Sequence, residues 1–77
     1  MTLYEGKTGR KYRVESMETG EEVTRRLQAL GLIEGTPLTL LNRKKKGALI
    51  LSVRGTRLAV GRHISEHIEV EPEEDER

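Results

Sequence analysis

Residues 19–36 read TGEEVTRRLQALGLIEGT, and this run decides how the rest of the chain is arranged. Thr19 and Glu22 have capping-box spacing: the threonine oxygen can accept from the Glu22 N–H while the Glu22 carboxylate accepts from the Thr19 N–H. Val23, Leu27 and Leu30 fall at i, i+4 and i+7, which predicts one apolar stripe on a helix over about residues 20–30. Gly31 stands at C′, where positive φ is needed, and Leu32 beyond it can fold back on Leu27 as a Schellman end requires. Ile33-Glu34-Gly35-Thr36 suits a type II turn, with glycine at the position that demands φ > 0.

Backwards from the helix, Arg10 to Met17 alternates. Tyr12 and Val14 face one side and Lys11, Arg13 and Glu15 the other, the pattern of a half-buried strand. Residues 1–9 form an irregular lead-in whose Leu3 can pin the N-terminus to the core. Forwards, Pro37 opens a second strand, Leu38 to Arg43, where it costs no interior ladder bond. Lys44-Lys45-Lys46-Gly47 reads as a hairpin loop before a third strand, Ala48 to Val53. Arg54-Gly55 is a tight connection to a fourth, Thr56 to Val60, with Leu58 and Val60 on one face. Gly61 ends it, and Arg62 to His67 has room for one helical turn. Ile68 and Val70 mark a last short strand before Pro72. The chain is therefore mainly β with an inserted helix after the first strand. About five short strands, with no long crossover among the last four, predict a small closed or partly open barrel.

With 77 residues the chain makes one domain, residues 1–70. The absence of Cys excludes disulfides and thiolate metal sites. Tyr4 and Tyr12 are the only aromatics, so Leu, Ile and Val must build a core that supplies about 3–5 kcal/mol, which leaves room for a partner or an oligomer. No apolar run approaches the roughly 20 residues that span a bilayer, and no signal-peptide core is present, so the expectation is a soluble cytoplasmic protein. The formal charge of +1 conceals an asymmetry. Residues 71–77, EPEEDER, hold five acids and one Arg, and residues 1–70 carry 13 basic and 8 acidic side chains. Such an acidic run is expected to be a solvated, disordered tail.

With these elements placed, the chain resembles the FeoA family of small bacterial proteins of ferrous iron transport. The resemblance covers nearly all of residues 3–70. It is carried by Arg26-Leu27 with Leu30-Gly31-Leu32, by Gly35-Thr36 before Leu38 and Leu40, by Val53-Arg54-Gly55, by Leu58-Ala59 and by Ile68-Glu69-Val70. It implies an SH3-like β-barrel with the helix inserted after the first strand, and a cytoplasmic role in iron(II) uptake beside FeoB, a permease with a G-protein domain. The same fold resembles the C-terminal module of metal-dependent repressors of the diphtheria-toxin-repressor type, which implies a regulatory relative as the alternative. This chain departs from the family at Lys44-Lys45-Lys46-Gly47, where an irregular loop is common, and at Gly61 and Ser65.

An enzyme finds little support. His63, Glu66 and His67 lie in HISEH, which matches H-x-x-E-H literally. That metallopeptidase pattern needs a stable helix and a third ligand from elsewhere. Imidazole and carboxylate suit weak contact with Fe(II) or another divalent ion, and no other cofactor is implied. A solvated histidine pair beside buried Ile64 and Ile68 is the plainer account. No phosphate-binding glycine loop occurs. Arg25, Arg26, Arg54 and Arg57 are available to a nucleotide-bearing partner, and nothing in the sequence chooses among them. Arg43 with Lys44, Lys45 and Lys46 forms a basic loop of the kind that contacts nucleic acid, but stacking aromatics are missing, and lysines at a hairpin tip also guard a sheet against edge pairing. The expected partner surface is the exposed helix face, Glu22, Arg25 and Arg26, with Leu32 and Ile33 and the Lys44–Lys46 loop. Ile33 lies outside the helix stripe, in a turn, where an apolar side chain is hard to bury; exposed, it marks an interface.

Overall fold

Alternating burial along residues 11–17 sets the first strand. In the computed structural model, which describes residues 1–73, Tyr12 and Val14 of β1 (Lys11–Met17) are buried while Lys11 and Glu15 face solvent. The remaining elements are α1 (Glu21–Ala29), β2 (Pro37–Arg43), β3 (Leu49–Val53), β4 (Thr56–Val60), the single turn α2 (Arg62–Ser65) and β5 (Ile68–Pro72). A 3₁₀ turn at Leu3–Glu5 precedes them. The expected order of elements is the one observed.

All neighbouring strands are antiparallel, in the order β4-β3-β2-β1-β5. The sheet is not closed, so β4 and β5 are its two edges. Of the closed and partly open barrels expected, the partly open one forms. Register shifts place Glu15 of β1 and Leu41 of β2 as extra residues opposite their partners. Such bulges bend and twist the strands, which curls a five-stranded sheet around one core. The edge at β5 is covered by the N-terminus, where Thr2 bridges Glu69 and the Val70 N–H donates to the Met1 carbonyl at 2.8 Å. Leu3 is thereby fully buried, as expected.

The core is Leu32, Leu38, Leu40, Leu49, Leu51, Val53, Ile68 and Val70 with their neighbours, and Tyr12 is its only aromatic. The Tyr12 hydroxyl leaves the core by accepting from the Lys7 N–H at 2.7 Å.

At its C-terminus α1 ends as the sequence predicts. The Leu32 N–H donates to Leu27 O and the Gly31 N–H to Gln28 O, both at 3.0 Å, with Gly31 at φ 101. These are the two bonds of a Schellman motif. The following turn is closed by the Thr36 N–H on Ile33 O at 3.0 Å, with Gly35 at φ 87.

Two expectations are corrected. The capping box at Thr19 is absent because the helix starts one residue later, on Gly20 as N-cap. Thr19 instead exchanges a hydroxyl hydrogen bond with Thr24, which also donates to the Thr19 carbonyl. Glu22 thus falls in the first turn beside Glu21, where both carboxylates complement the helix dipole. Leu30 is not in the core; it is the C-cap and 47% exposed. The last strand runs on past residue 70. Glu71 and Pro72 pair with Arg13 and Tyr12 of β1, and Arg13 donates to Glu73 at 2.6 Å. The expected tail at Glu74–Arg77 lies outside the described residues.

Candidate functional site

β2 joins two differently equipped ends of the domain, and the candidate residues gather at both. Before β2 stand α1 and the glycine turn. Glu22, Arg25 and Arg26 are all exposed on α1, as expected. Arg25 donates to Glu21 at 3.2 Å, an i,i+4 pair so solvated that it is worth about 0.3–0.5 kcal/mol. A pair this weak gives way readily to a partner's charge.

Ile33 is 39% exposed and lines an open groove with Met17, Thr24, Gln28 and Glu34. Its backbone is held in the turn closed by the Thr36 N–H. Leu32, by contrast, is 0% exposed and packs with Leu27 in the core, so its side chain is not at the surface. The exposed leucine of this turn is Leu30. The signal for this placement was present in the Schellman motif itself, which pairs the residue after Gly31 with Leu27 and leaves the C-cap side chain displaced from the stripe.

After β2 comes the lysine hairpin. The Lys44 N–H donates to Ala48 O at 2.8 Å and the Gly47 N–H to Lys44 O at 3.0 Å, so Lys44, Lys45 and Lys46 stand outward on a closed loop. Arg43 latches the hairpin to the N-terminal turn by donating to the carbonyls of Tyr4 and Gly6, both at 2.8 Å. Its guanidinium carbon lies 4.8 Å from the centroid of the Tyr4 ring, and that of Arg62 lies 5.0 Å from the same ring. This three-residue cluster joins parts of the chain far apart in sequence, and no local pattern announced it.

The third set, His63, Glu66 and His67, lies on and just after α2. The three do not turn toward a common point. Glu66 accepts from Arg62 Nε at 2.9 Å, which holds its carboxyl below the usual carboxylate range and raises the guanidinium in turn. His67 Nδ1 is hydrogen-bonded to the His63 carbonyl at 2.7 Å. Among the described residues no group of three or more His, Asp or Glu side chains is disposed to hold a metal ion. His63, Glu66 and His67 are thus not gathered around one point, and one turn of helix turns the carboxylate back on its own arginine. The two histidines instead border a groove against Glu18, Thr19, Gly20 and Val23 at the start of α1. Among the described residues no helix is long and apolar enough to cross a membrane.

Residues 1–72 match the family model of the FeoA domain. The FeoA protein of Chlorobium tepidum superposes with a TM-score of 0.91 at 31% identity, covering 100% of this chain and 74% of that one. A crystal structure described as an iron uptake regulatory protein, FeoA, gives 0.84 at 28% identity over 94% of this chain and 96% of that one. FeoA of Stenotrophomonas maltophilia in complex with zinc gives 0.77 at 26% identity over 92% of this chain and 89% of that one. That protein is described as a prokaryotic SH3 domain protein and proposed as a ferrous iron transport activating factor, which accords with the SH3-like fold expected here. Among curated proteins, sequence comparison finds no match.

Proposed function

The chain belongs to the FeoA domain family, and from that membership we propose that it is a non-enzymatic accessory protein of bacterial ferrous iron uptake. It acts in the cytoplasm by docking on the cytoplasmic region of a FeoB-like transporter and modulating or assembling it. Iron is the cargo of that system and not a resident cofactor of this chain. His63, Glu66 and His67 do not fit a resident metal, because among the described residues no three such side chains are disposed to hold one ion.

The observation that carries the docking surface is Ile33. An exposed β-branched residue on a backbone held by the Schellman and Thr36–Ile33 hydrogen bonds is an apolar anchor presented with little conformational entropy left to lose. Leu30 flanks it across the Schellman turn, and Arg25 and Arg26 supply a charged rim. A nucleic-acid or metal-responsive regulatory role for the 43–46 loop has less support. Tyr12 is buried and the Tyr4 ring already has two guanidiniums beside it, so no aromatic is free to stack on a base.

Binding of the purified protein to the cytoplasmic domain of the transporter tests this reading. Ile33→Glu is expected to weaken the complex by roughly tenfold or more, because it buries a charge where an apolar group docked, and to leave the fold intact. If wild type shows no binding, the reading falls. If Ile33→Glu binds as well as wild type, Ile33 is not the contact.

A further inference from the structure

The lysine hairpin carries an inference that the transporter reading does not use. Lys44, Lys45 and Lys46 are exposed at the hairpin tip, and among the described residues none forms an ion pair. Arg43 stands at the base of the tip with its guanidinium on two neutral carbonyls, so its charge is not compensated either. It holds Gly6, and with it Lys7, beside the hairpin. Among the described acids, Glu66 is taken by Arg62, and Glu5 accepts from the neutral Thr2 N–H at 2.8 Å, which leaves one carboxylate against Arg43, Lys7 and the three lysines. A local surplus of cations therefore projects from one end of a chain whose formal charge is only +1.

We propose that this end of the domain, led by Lys44, Lys45 and Lys46, docks on the surface of an anionic phospholipid bilayer. Four or more clustered Lys and Arg side chains suffice for attraction to an anionic leaflet, acting through a diffuse field that asks for no shaped pocket. Lysine suits this use: each ammonium is a hydrated point charge on a flexible stem, without the rigid fork that reads one carboxylate or phosphate. The tip carries no exposed apolar residue, so it rests on headgroups and does not insert. A nucleic acid is the poorer occupant, since both tyrosine rings are unavailable for stacking. The geometry also leaves the other end free. β2 has seven residues, which separates the lysine tip from the Ile33 turn by roughly 20 Å along the strand. A domain standing on its lysine tip would present Leu30 and Ile33 away from the lipid.

Co-sedimentation of the full chain with vesicles tests the proposal, and because the vesicles contain no protein its outcome is separate from that of transporter binding. At low salt the protein should pellet with phosphatidylcholine vesicles holding about 30% phosphatidylglycerol and stay in solution with phosphatidylcholine alone. Each lysine removed should lower the partition coefficient roughly fivefold, so Lys44→Ala, Lys45→Ala and Lys46→Ala together cost about a hundredfold, as does about 0.5 M salt. Replacing the three lysines by arginine should preserve binding, which excludes misfolding as the cause of any loss. Partition that is absent at low salt, that is equal on neutral vesicles, or that survives the triple alanine change overturns the proposal. So does retention of a mixed-sequence RNA without retention of vesicles.

Discussion

The two ends of β2 are built with equal backbone precision and opposite side-chain chemistry. At one end the Schellman motif and type II turn fix the chain through Gly31 and Gly35 and leave Leu30 and Ile33 in solvent. At the other, Gly47 closes a hairpin that holds only cations outward. The docking proposed for the first end would cover these two apolar side chains and displace water from them. Lysines are well hydrated where they stand and attract at a distance, so the second end is shaped for a charged field. The two surfaces proposed for docking thus lie apart in a small domain with few aromatics, and the core between them is almost purely aliphatic.

The sharpest way to break this comparison is at Leu32 and Ile33, adjacent residues assigned opposite fates. Leu32→Ala removes a fully buried side chain and is expected to cost about 2–5 kcal/mol, enough to leave a domain of this size largely unfolded. Ile33→Ala, in a half-open groove, should change stability by no more than about 0.5 kcal/mol. Equilibrium urea denaturation of both variants measures the difference directly. Equal losses would put Ile33 in the core and remove the docking surface.

What could be read from residue order alone follows from how far each interaction reaches. The strands and the Schellman end are local: alternation at Tyr12 and Val14, or a glycine between Leu27 and Leu32, specifies its own geometry within a few residues. The start of α1 is less legible because Thr19 and Gly20 can both serve as caps, and the choice depends on Thr24, whose hydroxyl bonds back to Thr19. Leu30 satisfies the helix period yet lies at the C-cap, where the chain has already left the helical path. The bulges at Glu15 and Leu41 have no residue signature, since either is an ordinary strand residue whose extra place is set by its partner strand. The ends of β5 and the Arg43–Tyr4–Arg62 cluster depend on contacts across most of the chain. Among the candidate site residues, Ile33 was legible because nothing local could bury it. Leu32 was not, although the motif that placed it opposite Leu27 already argued for burial.

A smaller effect probes why the Ile33 end is rigid. Gly31→Ala places a Cβ on a residue at φ 101 and is expected to cost about 1–2 kcal/mol. Two causes contribute, since that Cβ would also stand 3.2 Å from Cδ of Arg54, across the β3–β4 turn. Arg54 itself sits at φ 53, followed by Gly55 at φ 83, the pair of positive angles of a type I′ hairpin. Asparagine is a preferred occupant of that position, so Arg54→Asn alone should stabilise the domain by about 0.5–1 kcal/mol. The double variant then separates strain from contact. If positive φ is the cause, Gly31→Ala costs the same in the wild-type and Arg54→Asn backgrounds, within the roughly 0.3–0.5 kcal/mol by which independent changes add. If the arginine contact is the cause, most of the cost disappears when the long side chain is gone. The arginine can swing aside at little expense and the backbone cannot, so the first outcome is expected: position 31 needs glycine because the hydrogen bonds of the Schellman turn impose a positive φ.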